Sequence, residues 1–126
     1  IIDRFTGNDS IDQPKVILNE QILKKFQQYT RQVPIANDLK KRVLKIVSMT
    51  RTEKKIVEYG GSPRASLGLV MASKAFALLE GRNYVSKSDI DKMAYPVLRH
   101  RLILNFEAER KGMTTDDAIK NFIEKA

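Results

Sequence analysis

The sequence predicts an all-α fold, a small bundle of five or six helices. Apolar residues recur at helical spacing in several segments, and no series of alternating segments indicates strands. Serine, threonine and asparagine precede most of these segments, while glycine or proline follows them, which is typical of helix starts and stops. With 126 residues, the chain is long enough for one domain with a single core.

The chain opens with a segment that we expect to be a linker. Residues 1–15 are polar after a short apolar start, and Gly7, Asn8 and Pro14 favour a loop. The chain begins with Ile1 rather than Met. We therefore expect it to be part of a longer protein, with some of its function in the remainder.

A first amphipathic helix is predicted from Asn19, its capping residue, to about Arg31, and Pro34 ends it. Its apolar positions form a helical stripe of Ile22, Leu23, Phe26 and Val33.

A second helix, capped by Asn37 or Asp38, has an apolar side and a cationic side. The apolar side comprises Leu39, Val43, Ile46, Val47 and Thr50. Residues 38–55 also hold seven Lys or Arg against two acidic residues, which predicts a cationic outer face.

The third helix, from Ser62 to about Glu80, is predicted to be the central one. Between Ala65 and Leu79 its only charge is Lys74, and a helix that is apolar nearly all round is buried. Its many small residues let neighbouring helices approach closely. Gly81 is expected to close it as a C′ glycine.

Shorter segments complete the predicted bundle. Residues 86–89 indicate a capping box, and Pro96 kinks or breaks the helix that it opens. The alternation of apolar and basic residues over 97–106 favours a short helix followed by an extended piece. After Gly112, residues 114–117 cap a last helix, and its inner face would be Ala118, Ile119, Phe122 and Ile123.

The composition excludes several kinds of site. Without cysteine there are no disulfides or thiolate metal sites, and the single histidine, His100, excludes a multi-histidine site. No phosphate-binding loop is present, and no apolar strand ends in an acidic pair for Mg²⁺. Asp116 and Asp117 indicate helix capping, while His100, between two arginines, is expected to be a partly buried packing residue. We expect no catalysis by this chain alone.

No apolar run is long enough to span a membrane and no signal peptide is present, so we expect a cytoplasmic protein without a membrane partner. The net charge of +8 raises the expectation of an anionic partner. A basic helical nucleic-acid-binding domain is therefore the alternative function. No recognition helix stands out and aromatic residues are few, so nucleic acid is not the expected partner. A protein-binding adaptor is the third possibility.

The most informative segment is Gly60-Gly61-Ser62-Pro63-Arg64-Ala65. The glycines favour a tight turn with positive φ, Ser62 is a preferred N-cap, and Pro63 suits the first helical position. Arg64 then lies in the first turn, where a cation opposes the helix dipole by about 0.3–1 kcal/mol. A bound anion would reverse that sign, because free backbone N–H groups and the guanidinium would converge on it. The alternative is a solvated surface arginine.

Residues 60–67 resemble the Gly-Ala-Ser-Pro-Arg-Ala segment of MoxR-type AAA+ ATPases. The similarity continues through residues 75–85 and 97–102, and residues 16–50 fit the two preceding helices of that family. It covers about residues 16–112, and the linked motifs are specific as a set. The family has Ala where this chain has Gly61, which loosens the turn but leaves the arginine in place.

The resemblance implies that residues 16–126 are the helical lid of an AAA+ ATPase. Residues 1–15 would be the hinge or linker from a nucleotide-binding core that this chain lacks. Arg64 would be the sensor-2 arginine of the nucleotide-binding segment, with Ser62 and Pro63 beside it. The resemblance leaves open whether Arg64 serves the nucleotide of its own subunit or of a neighbour.

The resemblance also implies cofactors and partners. ATP and Mg²⁺ would bind to the full-length protein, an ATPase, and neither is expected on the lid alone. The lid would contact its own N-terminal core and neighbouring subunits of a homo-oligomeric ring. It would pass ATP-driven motion to a client protein whose assembly or maturation it assists.

Overall fold

The structure, a computed structural model, describes residues 15–126, so residues 1–14 of the predicted linker lie outside the described part. The six α-helices found within residues 15–126 confirm the predicted helical bundle. They are α1 (Glu20–Gln32), α2 (Asn37–Thr52), α3 (Arg64–Leu79), α4 (Lys87–Leu98), α5 (Phe106–Arg110) and α6 (Thr115–Lys125).

Helix α3 is the central helix, as predicted, because it packs against α1, α2 and α4. Helix α6 closes the other side of the core by packing against α2 and α4. Small buried residues of α3, including Ala65, Ser73 and Ala77, allow the close approach of its neighbours. The largest fully buried side chains are Phe122, Ile46, Leu69, Ile90, Leu98 and Ile119.

Local capping defines most of these helices. Asn19 accepts a hydrogen bond from Ile22 N at 2.9 Å, and capping boxes open α4 and α6, all as predicted. Gly81 and Gly112 have positive φ of 74° and 77° and end α3 and α5. After each glycine, the next N–H bonds back to a carbonyl five residues earlier, the Schellman arrangement.

Two predicted boundaries are wrong. Neither Asn37 nor Asp38 caps α2, because extended backbone at Ala36 starts the helix one residue earlier. Of the two effects predicted for Pro96, a kink or a break, the break is wrong, because α4 continues through Pro96 to Leu98. A 3₁₀ turn (Arg99–Arg101) and a short strand follow, in agreement with the helix-then-extended prediction.

A small antiparallel sheet, which the sequence did not predict, joins distant parts of the chain. Strand β1 (Val57–Tyr59) pairs with β2 (Ile103–Leu104), with Val57 opposite Leu104 and an irregularity before Tyr59. At two and three residues, these strands are too short for a periodic signal. The sheet brings the chain directly to Gly60, at the start of the arginine segment.

An ion pair fastens the end of α3 to the start of α4. Asp89 is 1% exposed, and its two carboxylate oxygens accept from the Arg82 guanidinium at 2.7 and 2.6 Å. The Ser86 N–H and hydroxyl also donate to this carboxylate, each at 2.8 Å. The Arg82 hydrogen bonds, helped by those from Ser86, lower the pKa of Asp89 to about 2.

Candidate functional site at the start of helix α3

The Gly60–Gly61 turn lies against the last turn of α2. A Cβ on Gly60 would stand 2.1 Å from the Thr50 carbonyl oxygen, so no larger residue fits here without movement. The predicted positive φ at these glycines is wrong, since within residues 15–126 only Gly81 and Gly112 have it. Gly60 is needed for the close approach of the two backbones rather than for left-handed geometry.

The first turn of α3 is tighter than predicted. Pro63, with φ −53°, occupies the N-cap position, and no side chain within residues 15–126 caps the helix there. Ser62 therefore does not serve as the predicted side-chain cap. Its carbonyl accepts from Ala65 N at 2.8 Å, and the Pro63 carbonyl accepts from Ser66 N at 3.1 Å. These bonds use two of the N–H groups that we expected to be free for an anion.

Arg64 is exposed at the first position of α3. Three other arginines, Arg42, Arg82 and Arg99, each bind a carboxylate. Within the described part of the chain, the Arg64 guanidinium has no ion pair and no hydrogen bond to a side chain or carbonyl. Its positive charge is thus available to a ligand or another protein surface.

An exposed apolar stripe shares the face of α3 that carries Arg64. Leu67 and Leu79 are 69% and 85% exposed, and Met71 lies between them. Spacings of three, four and eight residues from Arg64 onward put all four on one side of the helix. The prediction that α3 is buried nearly all round is therefore wrong for this side, where Leu67 and Leu79 are mostly exposed.

Helix α1 extends this apolar face. Leu23 and Phe26 are about half exposed and line a groove of about 480 Å³ that Leu78 and Leu79 close from α3. No residue of α1 is buried, although its predicted apolar stripe is present. Lys74 Nζ donates to the Arg31 carbonyl at 2.9 Å and ties the end of α1 to α3. We call this surface, with Arg64 at its edge, the open face.

The predicted cationic side of α2 is largely exposed. Arg42 is the exception, because its guanidinium lies inside the bundle and donates to Asp91 at 2.8 Å and to the Ile123 carbonyl at 2.9 Å. Sequence alone does not distinguish this arginine from its neighbours. The exposed cations of the segment are Lys40, Lys41, Lys45, Arg51, Lys54 and Lys55.

Other predicted residues lie away from the open face. His100 is exposed rather than partly buried, because the 3₁₀ turn points outward between buried Leu98 and Leu102. Asp117 belongs to the capping box of α6, as predicted, whereas Asp116 pairs with Arg99. Within residues 15–126, no group of three His, Cys, Asp or Glu residues could hold a metal ion. None of the described helices has the length and apolarity needed to cross a membrane.

Thr50 is the residue of this site that sequence reasoning missed. It was assigned only to the apolar side of α2, yet its hydroxyl accepts from the Gly61 N–H at 3.0 Å. The contact links residues eleven positions apart. The sequence pattern contains no signal for such a bond, because it depends on how α2 and the glycine turn pack.

The chain is similar to known proteins. Residues 49–122 match the AAA lid domain family. The chaperone MoxR1 of Mycobacterium tuberculosis is 35% identical over 104 residues, which cover 76% of this chain and 28% of MoxR1. The uncharacterized protein YeaC of Bacillus subtilis is 33% identical over 98 residues, covering 78% of this chain and 30% of YeaC.

A solved structure agrees with these relatives. The crystal structure of a candidate ATPase from Cytophaga hutchinsonii superposes with a TM-score of 0.81 at 29% identity, covering 99% of this chain and 40% of that protein. The chain thus spans less than a third of the length of the two relatives and less than half of the solved structure.

Proposed function

The chain belongs to the AAA lid domain family and is the lid of a MoxR-type AAA+ ATPase, and we propose that Arg64 is its sensor-2 arginine. The observation that carries the proposal is an exposed cation, unpaired within residues 15–126, at the edge of an exposed apolar face. Arg42, Arg82 and Arg99 are each committed to a carboxylate. Arg64 is free to meet a phosphate.

The proposed mechanism is electrostatic. In the full-length protein, ATP with Mg²⁺ would lie between the lid and a nucleotide-binding core. The γ-phosphate would accept charge-assisted hydrogen bonds from Arg64, which the rigid helix α3 holds in place. Hydrolysis would remove that partner and weaken the docked state. The angle of the lid would then follow the nucleotide state as a rigid-body movement.

We propose that the open face is the surface by which the lid docks. Leucines that are 69% and 85% exposed favour contact with another protein surface rather than with water. Residues 1–15 would be the hinge to the core, and neighbouring subunits of a ring would form the second contact. Motion of the lid would reach a client protein through those neighbours.

The lid alone should bind ATP weakly or not at all. Ala65 and Ser66 already use their N–H groups within the first turn, so Arg64 is left as the main ligand. A single exposed cation in water contributes little binding energy. Titration calorimetry of this chain with ATP and Mg²⁺ should detect no tight complex.

The decisive experiment is Arg64→Ala in the full-length protein, with ATP turnover measured at saturating ATP. We expect turnover to fall about 10²–10³-fold, the effect of losing one preorganised charge-stabilising donor. Arg110→Ala is the matched control, because Arg110 is also exposed but lies on α5. Equal turnover of Arg64→Ala and the parent protein would remove Arg64 from the mechanism.

A further inference from the structure

We infer that Thr50 is a positioning residue for Arg64, acting through the Gly60–Gly61 turn. The inference rests on the sensor-2 role proposed for Arg64. Thr50 itself touches no nucleotide in this proposal. Its buried hydroxyl holds the turn from which α3, and with it Arg64, starts.

The Thr50 hydroxyl acts both as a hydrogen-bond donor and as a hydrogen-bond acceptor. Thr50 is fully buried, and its Oγ1 donates to the Val47 carbonyl at 2.7 Å in its own helix. The same oxygen accepts from the Gly61 N–H at 3.0 Å. Gly61 is buried as well, so this N–H has no water to replace the hydroxyl. The bond therefore specifies one position of Gly61 relative to α2.

Close packing reinforces that position. A Cβ on Gly60 would meet the Thr50 carbonyl, and one on Gly61 would stand 3.3 Å from Ala65 Cβ and 3.6 Å from Thr50 Oγ1. The turn is thus held between the end of α2 and the first turn of α3. The contact at Gly60 leaves little room for the turn to move toward α2.

The path from Gly61 to Arg64 is short and stiff. The proline ring restricts φ at Pro63, and the Ser62 and Pro63 carbonyls each bond to an N–H three residues on. A displacement at Gly61 is therefore transmitted to the Arg64 backbone. Misplacement of a charge-stabilising group by about 1 Å can cost about 10²-fold in rate.

A second buried hydroxyl provides a matched control. Ser73 is fully buried on α3, and its Oγ donates to the Leu69 carbonyl at 2.8 Å within the same helix. Removing it deletes a buried hydroxyl of similar environment without touching the glycine turn. If turnover depended on any buried hydroxyl, removing either one would lower it. If it depends on the position of the turn, only the loss of the Thr50 hydroxyl should lower it.

The experiment compares four single variants of the full-length protein at saturating ATP: Thr50→Val, Thr50→Ser, Ser73→Ala and Arg64→Ala. We expect Thr50→Val to lower kcat about 10-fold or more with the protein still folded. Thr50→Ser, which keeps the hydroxyl, should restore turnover, and Ser73→Ala should match the parent. Equal losses in Thr50→Val and Ser73→Ala would overturn the inference.

The double variant Thr50→Val/Arg64→Ala tests whether Thr50 acts through Arg64. If it does, Thr50→Val should have no further effect on turnover once the arginine is gone. Multiplying losses would mean that Thr50 acts by another route and would overturn the inference. Unchanged turnover in the Arg64→Ala single variant would instead defeat the sensor-2 proposal itself.

Hydrogen exchange provides a readout that does not depend on turnover. In the full-length protein, the Gly61 amide should exchange slowly in the parent, in Thr50→Ser and in Ser73→Ala, and much faster in Thr50→Val. Slow exchange of this amide in Thr50→Val would show that the hydroxyl does not hold the turn. That result would overturn the inference whatever the role of Arg64.

Discussion

Leu67 and Leu69 stand two residues apart on α3, yet they belong to opposite sides of the molecule. Leu69 is fully buried against the core, whereas Leu67 is 69% exposed on the open face. On the core side, the neighbouring helices pack closely and are held by capping boxes and the Arg82–Asp89 ion pair. The open face has largely exposed apolar side chains, with Arg64 at its edge.

This difference shows that apolar character does not by itself identify a core. Both sides of α3 are apolar, and only the core side is buried by residues 15–126. We attribute the apolar character of the open face to the docking proposed above. If so, substitutions on the core side should change stability, while substitutions on the open face should change function and leave stability nearly unaltered.

The leucine pair gives the largest expected contrast. Leu69→Ala should lower the free energy of unfolding by about 2–5 kcal/mol, because it removes a fully buried side chain and leaves a cavity. Leu67→Ala should change it by less than about 0.5 kcal/mol. Urea unfolding of the two variants measures both values. Similar losses of unfolding free energy in the two variants would mean that Leu67 is part of the core, which would contradict the distinction between the two sides of α3.

Replacing Gly60 or Gly68 by alanine should change the stability of the protein in opposite directions. Gly60→Ala places a Cβ 2.1 Å from the Thr50 carbonyl oxygen, and the resulting strain should destabilise the protein by about 1–3 kcal/mol. Gly68→Ala, inside α3, meets only Val97 Cγ1 at 3.7 Å. It should stabilise the helix by about 0.5–1 kcal/mol. Thermal unfolding should therefore give opposite shifts, and two shifts of the same sign would contradict the assigned packing.

Acid should weaken the core side through Asp89. Its pKa is lowered from 3.8 to about 2 in the folded protein, mainly by hydrogen bonds from Arg82. A carboxyl whose pKa is lowered by folding stabilises the folded state at any pH above its pKa in the unfolded chain. For Asp89 this stabilisation is about 2 kcal/mol, and it is lost as pH falls from about 4 to about 2.

Asp89→Asn isolates this effect from other titrating carboxylates. The difference in unfolding free energy between the parent and Asp89→Asn should shrink as pH falls through that range. Asp116→Asn, on an exposed pair, is the control and should show a weaker dependence on pH. A difference that stays constant from pH 5 to about pH 2 would mean that Asp89 is not stabilised as a carboxylate.

The parts of the fold predicted from sequence are those with local causes. Capping by Asn19, the Ser86 and Thr114 capping boxes and the C′ role of Gly81 each depend on residues a few positions apart. The nearly uncharged run between Ala65 and Leu79 predicted the central position of α3. These interactions form within one turn of chain, so the local sequence determines them.

The parts that could not be predicted depend on residues far apart in the chain. The Thr50–Gly61 bond and the Arg42–Asp91 pair join residues 11 and 49 positions apart. The β1–β2 pairing is of the same kind. At the candidate site, the sequence predicted the location of Arg64 in the first turn of a helix. It did not predict the tightened first turn or the open face, because both depend on how α1, α2 and α3 pack.

Arg64→Ala should have the smallest and most diagnostic effect on stability. The Arg64 side chain lies at the positive end of the α3 dipole without a carboxylate partner among residues 15–126. Removing it should therefore stabilise the fold by about 0.3–1 kcal/mol at low salt. The gain should shrink in 1 M salt, which screens exposed charges beyond about 3 Å. Urea unfolding at both salt concentrations measures it.

Arg82→Ala is the opposite control, because it leaves the buried Asp89 carboxylate without its cation and should destabilise the fold. The two arginine variants should therefore change the unfolding free energy in opposite directions. One arginine is required by the fold, and the other is mildly unfavourable to it. If Arg64→Ala also destabilised the protein, Arg64 would be a structural residue and would not be free to meet a phosphate.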